Sequence, residues 1–195
     1  MASPSVRVHE ARFPHDAQTV ATLFRAYAEW LNVDLTFQSF QTELAQLPGK
    51  YARESGGTLL LAYQPPTTAS AATSDNRADV GSEAAGALGQ ATSSPPPASL
   101  GNCIGCVAFR RFGSEDVCEL KRLYIVPEAR GLGAGGVLVA KALEMAREMG
   151  YKEMLLDTLA SMVAARKLYV RFGFRETDSY YDNPLDDVVY YRAVL

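Results

Sequence analysis

Apolar residues recur at helical spacing at Val20, Leu23, Phe24, Tyr27 and Leu31, which predicts a helix beginning just after Asp16, a residue able to cap it. Thr36 can cap a second helix, with Phe37, Phe40, Leu44 and Leu47 on its apolar side and Pro48-Gly49 as its stop. Val6 to Phe13 and the compact run Thr58 to Tyr63 predict strands. Further on, strands are predicted over Ile104–Phe112, Cys118–Val126 and Glu153–Asp157, with a turn at Gly113–Asp116. A helix should run to about Met149, with Gly150 as its cap, and another from Ser161 to Arg171, ending at Gly173. Phe174–Tyr181 and Asp187–Val194 are the last two strand candidates. No internal repeat is evident.

One stretch breaks the pattern. From Pro65 to about Asn102 the chain is Ala, Ser, Thr, Gly and Pro with few large apolar residues. It cannot bury enough surface to offset its ordering entropy, so a disordered insertion is expected. The runs TLLLAYQ and CIGCVAFRRF on either side read as neighbouring strands whose connecting loop has grown, which closure entropy tolerates. The whole chain, 1–195, is then expected to form one domain.

Val126 to Gly136 reads VPEARGLGAGG, between a predicted strand and a predicted helix. Glycines let a backbone approach a ligand closely, and unpaired N–H groups at a helix start point at negative charge. Two pyrophosphate motifs fit. Gly131, Gly133 and Gly136 match G-x-G-x-x-G, the dinucleotide fingerprint, and Asp157 lies where a ribose-binding acid would. Arg130, Gly133 and Gly135 match (Arg/Gln)-x-x-Gly-x-(Gly/Ala) instead. Against the dinucleotide reading, Pro127 to Arg130 separate the strand from the glycines, and Glu119 to Ile125 mixes charge with apolar residues where a doubly buried strand is expected. Too little chain follows Asp157 for the second half of a doubly wound sheet. A turn that binds nothing is the plain structural alternative.

Composition narrows the class further. The chain has 195 residues, 48% hydrophobic and 21% charged, with a formal net charge of −3. A soluble globular protein is expected, with neither a nucleic-acid nor a membrane partner. No apolar run approaches the ~20 residues of a membrane span, and the first residues lack the apolar core of a secretory leader, so a cytoplasmic location is expected. Cys103, Cys106 and Cys118 suit a reducing compartment. In a strand, Cys103 and Cys106 should point to opposite faces, and the two histidines, His9 and His15, are distant in sequence, so buried thiols rather than a metal site are expected.

ELKRLYIVPEARGLGAGGVLVAKALEMAREMGYKEMLLDT followed by AARKLYVRFGF resembles the GNAT superfamily of acetyl-CoA-dependent N-acetyltransferases. The resemblance is strong over about residues 104–176. It implies an α/β (α+β) fold, a mixed, mostly antiparallel sheet of about seven strands flanked by about four helices, with splayed strands at the cofactor site. It also implies acetyl-CoA as co-substrate, no metal, and an acetyl group moved directly to a primary amine of a small molecule or peptide in a ternary complex. A non-catalytic acyl-CoA-binding regulator of the same fold is the alternative, and either could be a monomer or a homodimer.

The family's roles carry over to matching positions. Main-chain groups of Leu123, Tyr124 and Ile125 would bond the pantetheine arm. The segment Arg130, Gly131, Leu132, Gly133, Ala134, Gly135 and Gly136 would hold the pyrophosphate. Tyr169 sits where the family often carries the tyrosine that protonates the departing thiolate. A phenol, with a pKa near ~10, can donate at neutral pH. Glu119, four residues before Leu123, is the candidate base, its alternative being a surface salt bridge with Lys121 or Arg122. Asp157 could orient the acceptor or cap a turn. The acceptor would meet Tyr27, Phe37, Tyr181 and Asp182 from the first helices and the last hairpin. One departure stands out: Ala160–Val163 has no asparagine where the family often places one against CoA.

Overall fold

The computed structural model describes residues 6–33, 35–65 and 102–195. The expected insertion lies almost wholly outside the described residues. Its flanks, however, do pair: Gln64 lies opposite Asn102.

Seven strands form one sheet, in the order β1-β2-β3-β4-β5-β7-β6. They are β1 (Arg7–Glu10), β2 (Thr58–Gln64), β3 (Asn102–Phe112), β4 (Ser114–Ile125), β5 (Glu153–Leu159), β6 (Arg175–Thr177) and β7 (Val188–Val194). The helices are α1 (Ala17–Leu31), α2 (Phe40–Ala45), α3 (Ala134–Glu148) and α4 (Val163–Arg171). All pairings are antiparallel except β4 with β5.

Strand β2 shows why the sheet is held from both sides. Leu60 and Ala62 point into a core that α3 covers, while Leu59 and Leu61 point into a second core under α1 and α2. All four are buried, each leucine contributing about 1.5–3 kcal/mol.

Two bulges change the expected alternation. The register of β2 on β3 shifts between Ala62 and Tyr63, where Cys103 and Gly105 are successive partners. The extra residue there turns Cys103 and Cys106 to the same core rather than to opposite faces. All three cysteines are free thiols, and burial pushes the Cys118 thiol up to about 12. The second bulge lies in β4. Cys106 pairs with Tyr124 but Ala108 pairs with Lys121, so Arg122 and Leu123 together oppose Val107. Arg122 takes a left-handed backbone there, φ 59°.

Other departures are local. Asp16 stands at the start of α1 but makes no side-chain bond to it; its carboxylate instead accepts from the Arg12 N–H at 2.7 Å. The second expected helix splits into a 3-10 turn, Thr36–Gln38, and the short α2, because Ser39 between them has φ 54°. The expected strand Phe174–Tyr181 contracts to Arg175–Thr177, so Tyr180 and Tyr181 lie in the following loop.

Candidate active site

Strands β4 and β5 run parallel for three residue pairs, ending at Glu119 opposite Leu155. Beyond that pair the two strands part. Leu120–Ile125 on one side and Leu156–Leu159 on the other have no ladder between them. The bulge at Arg122 bends β4 at the point of divergence.

The gap exposes hydrogen-bonding backbone. Val126 N–H bonds Ile104 O at 3.0 Å, and Cys106 lies opposite Tyr124, so the main-chain groups of Tyr124 and Val126 face β3. Those of Leu123 and Ile125 face the gap. Of the three residues expected to present main chain to pantetheine, Leu123 and Ile125 turn theirs to the gap, and Tyr124 is held in the sheet.

The glycine segment closes one end of the gap. Gly131 and Gly133 adopt φ 88° and 80°, a conformation that glycine alone takes readily, and Gly133 is the N-cap of α3. The amides of Gly133, Ala134, Gly135 and Gly136 have no acceptor among the described residues, as expected at a helix start. Gly135 faces α4 closely: a Cβ there would lie 3.3 Å from Leu168 Cδ2. Arg130 does not pair with Glu128. Its Nε donates to Ile125 O at 3.2 Å, and its guanidinium lies over the Trp30 ring at 4.6 Å. This group fits a pyrophosphate in a bent ligand whose arm runs into the gap: four open amides with positive helix polarity and a neighbouring arginine.

A cavity in the gap is lined by Tyr27, Lys121, Leu123, Asp157 and Tyr169. Tyr169 projects from α4, is buried, and packs its ring against Phe174 and Tyr191. Its hydroxyl has no hydrogen-bond partner among the described residues. Burial raises its pKa well above the phenol's usual value, so the proton stays on.

A second cavity, of about 290 Å³, shares Gln38 and Lys121 with the first. It is also lined by Lys50, Arg110, Glu119 and Asp182. Glu119 is fully buried rather than in a surface pair. Its Oε2 accepts from Arg110 Nε at 2.9 Å, and its Oε1 from the Tyr180 hydroxyl at 3.1 Å with Lys121 Nζ at 3.2 Å. Lys121 also reaches Asp157 at 2.6 Å, and the Tyr181 hydroxyl donates to the same carboxylate at 2.9 Å. Of the residues expected to meet the acceptor, Tyr27 lines the first cavity, Tyr181 and Asp182 line the second, and the side chain of Phe37 lies outside the described residues.

Lys50 and Arg110 were not foreseen. Of the two cations weighed as salt-bridge partners of Glu119, Lys121 makes the pair, with Glu119 buried rather than at the surface, and Arg122 points to the opposite face. There it is buried, with Nε 2.7 Å from Glu43 Oε1 and Nη2 3.1 Å from Oε2. Its Nη1 donates to Gln38 Oε1 at 2.9 Å, and Lys50 meets Glu43 at 2.5 Å. Alternation along β4 puts Glu119 and Lys121 on one face, a signal present in the sequence. The Glu43 and Lys50 contacts carry no local signal.

The model of the GNAT acetyltransferase family matches residues 50–174, spanning the gap, the glycine segment and Tyr169. The chain belongs to this family. An uncharacterised N-acetyltransferase of Schizosaccharomyces pombe is 33% identical over 196 residues, covering 100% of this chain and 99% of that one. Human N-acetylaspartate synthetase is 40% identical over 75 residues, 38% of this chain and 25% of its own length. A solved N-acetyltransferase of Thermoplasma acidophilum in complex with coenzyme A covers 98% of this chain and 99% of its own, at 15% identity and a TM-score of 0.64. That likeness shows the fold, a seven-stranded, mostly antiparallel sheet with four helices.

Proposed function

We propose that this GNAT-type N-acetyltransferase moves the acetyl group of acetyl-CoA directly to a primary amine of a small molecule or peptide. The observation that carries the reading is the parting of β4 and β5 past Glu119, with open amides at one end and Tyr169 in its wall. Leu123 and Ile125 would pair with the pantetheine amides as a missing strand would. The amides of Gly133–Gly136 would hold the pyrophosphate, with Arg130 moving from Trp30 to join them. A gap-facing amide such as that of Ile125 would stabilise the oxyanion as the amine attacks.

The chemistry then divides between two groups. The amine nitrogen bonds the acetyl carbon, the carbon–sulfur bond breaks, and the thiolate takes the Tyr169 proton. Burial keeps that proton on the phenol at neutral pH, so it is in place to be donated as the carbon–sulfur bond breaks. Glu119, on the wall of the second cavity, is the carboxylate assigned to take the amine's proton, directly or through water. Asp157 holds Lys121 and Tyr181 in register with it. We also place the protein in a reducing, cytoplasmic compartment, in keeping with its three free thiols.

The test is an amine panel of amino acids, polyamines and peptides with acetyl-CoA, scored by CoA release and by the mass of the acetylated product. Release matched by product supports the reading. Tight CoA binding without product from any amine would favour the regulatory alternative.

A further inference from the structure

We propose that the acceptor is an amino acid, whose carboxylate docks on Lys50 and Arg110 while its amine enters the gap beside Lys121. This rests on the acetyl-transfer reading above and adds what the acceptor must carry besides an amine.

The first argument is charge. Two sets of ion pairs stand around the two cavities: Lys50 and Arg122 both meet Glu43, and Arg110 and Lys121 both meet Glu119, with Lys121 also on Asp157. The second set is balanced, but the first joins two cations to one carboxylate, so the wall at Lys50 carries one uncompensated positive charge. Asp182 belongs to neither set and lies at the exposed rim of the second cavity. The reactive form of an amino acid, with a neutral amine and an ionised carboxylate, bears the single negative charge that the wall lacks. A simple alkylamine or a polyamine does not.

The second argument is unused donors. Lys50 Nζ has one acceptor, Glu43, which leaves it two further N–H groups. Arg110 gives Nε and Nη2 to Glu119, and its Nη1 has no acceptor among the described residues. Both side chains line the second cavity. Their leftover donors suit a carboxylate, which accepts at two oxygens.

The third is connection. Gln38 and Lys121 line both cavities, so a ligand anchored at Lys50 and Arg110 has its other end directed toward Tyr169 and the gap. Glu119 sits between the anchor and Lys121, close enough to the amine to serve the role assigned to it above.

The experiment compares each amino acid with its own carboxamide as acceptor, at saturating acetyl-CoA. The wild-type protein should prefer the acid by about tenfold or more in kcat/KM, as expected for losing a charge-assisted contact. Lys50→Met and Arg110→Met should each reduce that preference by raising KM for the acid, with KM for acetyl-CoA unchanged. Carboxamides or plain amines used as well as the acids by the wild-type protein would overturn the inference and leave acetyl transfer intact. No turnover of any amine would remove both.

Discussion

Arg122 and Glu43 form a buried two-bond ion pair that ties α2 to the bulge of β4. Both side chains are only 2% exposed. The pair does structural and functional work together. It holds Arg122 at φ 59°, where a non-glycine backbone is strained by about 1–3 kcal/mol, and it fixes the bulge that parts β4 from β5. Arg122 also lies against the Tyr27 and Phe40 rings, so the same guanidinium joins both early helices to the site.

Glu43→Gln should therefore destabilise the protein by about 3–5 kcal/mol, because it leaves a buried guanidinium without its counter-charge. Replacing both partners, as Glu43→Leu with Arg122→Met, should destabilise less than the single change. Urea unfolding of the three proteins checks this order.

The same carboxylate predicts acid sensitivity. Burial alone would raise the Glu43 pKa, but its bonds to Arg122 and its pairing with Lys50 override that, and the net shift is downward from 4.5. A lowered folded-state pKa stabilises the fold above the unfolded value, and the gain is lost as pH falls through the folded value. The wild-type advantage over Glu43→Gln should be full at neutral pH and shrink below about pH 4.5. Melting temperatures of both proteins across that range measure it.

Much of the geometry behind the proposed donor half of the site was legible in the sequence, because it is local. Arg130 to Gly136 lies in one unbroken segment, and its chemistry follows from glycine conformation and the helix that follows. The two strands on either side of residues 66–101 were equally legible, since TLLLAYQ and CIGCVAFRRF each announce themselves by apolar runs. The acceptor half was not. Arg122 and Glu43 are 79 residues apart in sequence, and no periodicity links them. The two bulges broke alternation at Cys103 and Arg122, where a single inserted residue reverses which face follows. Tyr180 and Tyr181 looked like a strand because aromatic residues favour one. They lie instead in a loop, where their hydroxyls reach Glu119 and Asp157.

Gly133→Val should weaken CoA binding by tenfold or more, since Gly133 caps α3 at φ 80° and a β-branched residue disfavours that backbone. Gly135→Val should weaken it as well, by forcing Leu168 away from a contact of 3.3 Å. Calorimetric titration with CoA measures both, and circular dichroism confirms that the fold persists.

Tyr169→Phe should lower kcat by about 10²-fold, the lower part of the range for general acid–base catalysis, with KM for acetyl-CoA little changed. Burial holds the wild-type phenol protonated above its usual 10.0, so the wild-type rate should show no alkaline decline from this group below that pH. The ionised form that would end catalysis is the one that burial disfavours. A pH–rate profile of both proteins to pH 10 tests the assignment.

The most direct test of direct transfer in the β4/β5 gap is an initial-velocity study with acetyl-CoA and an amine acceptor both varied. Attack within a ternary complex predicts double-reciprocal lines that intersect. Parallel lines, the pattern of an acetylated enzyme intermediate, would contradict it.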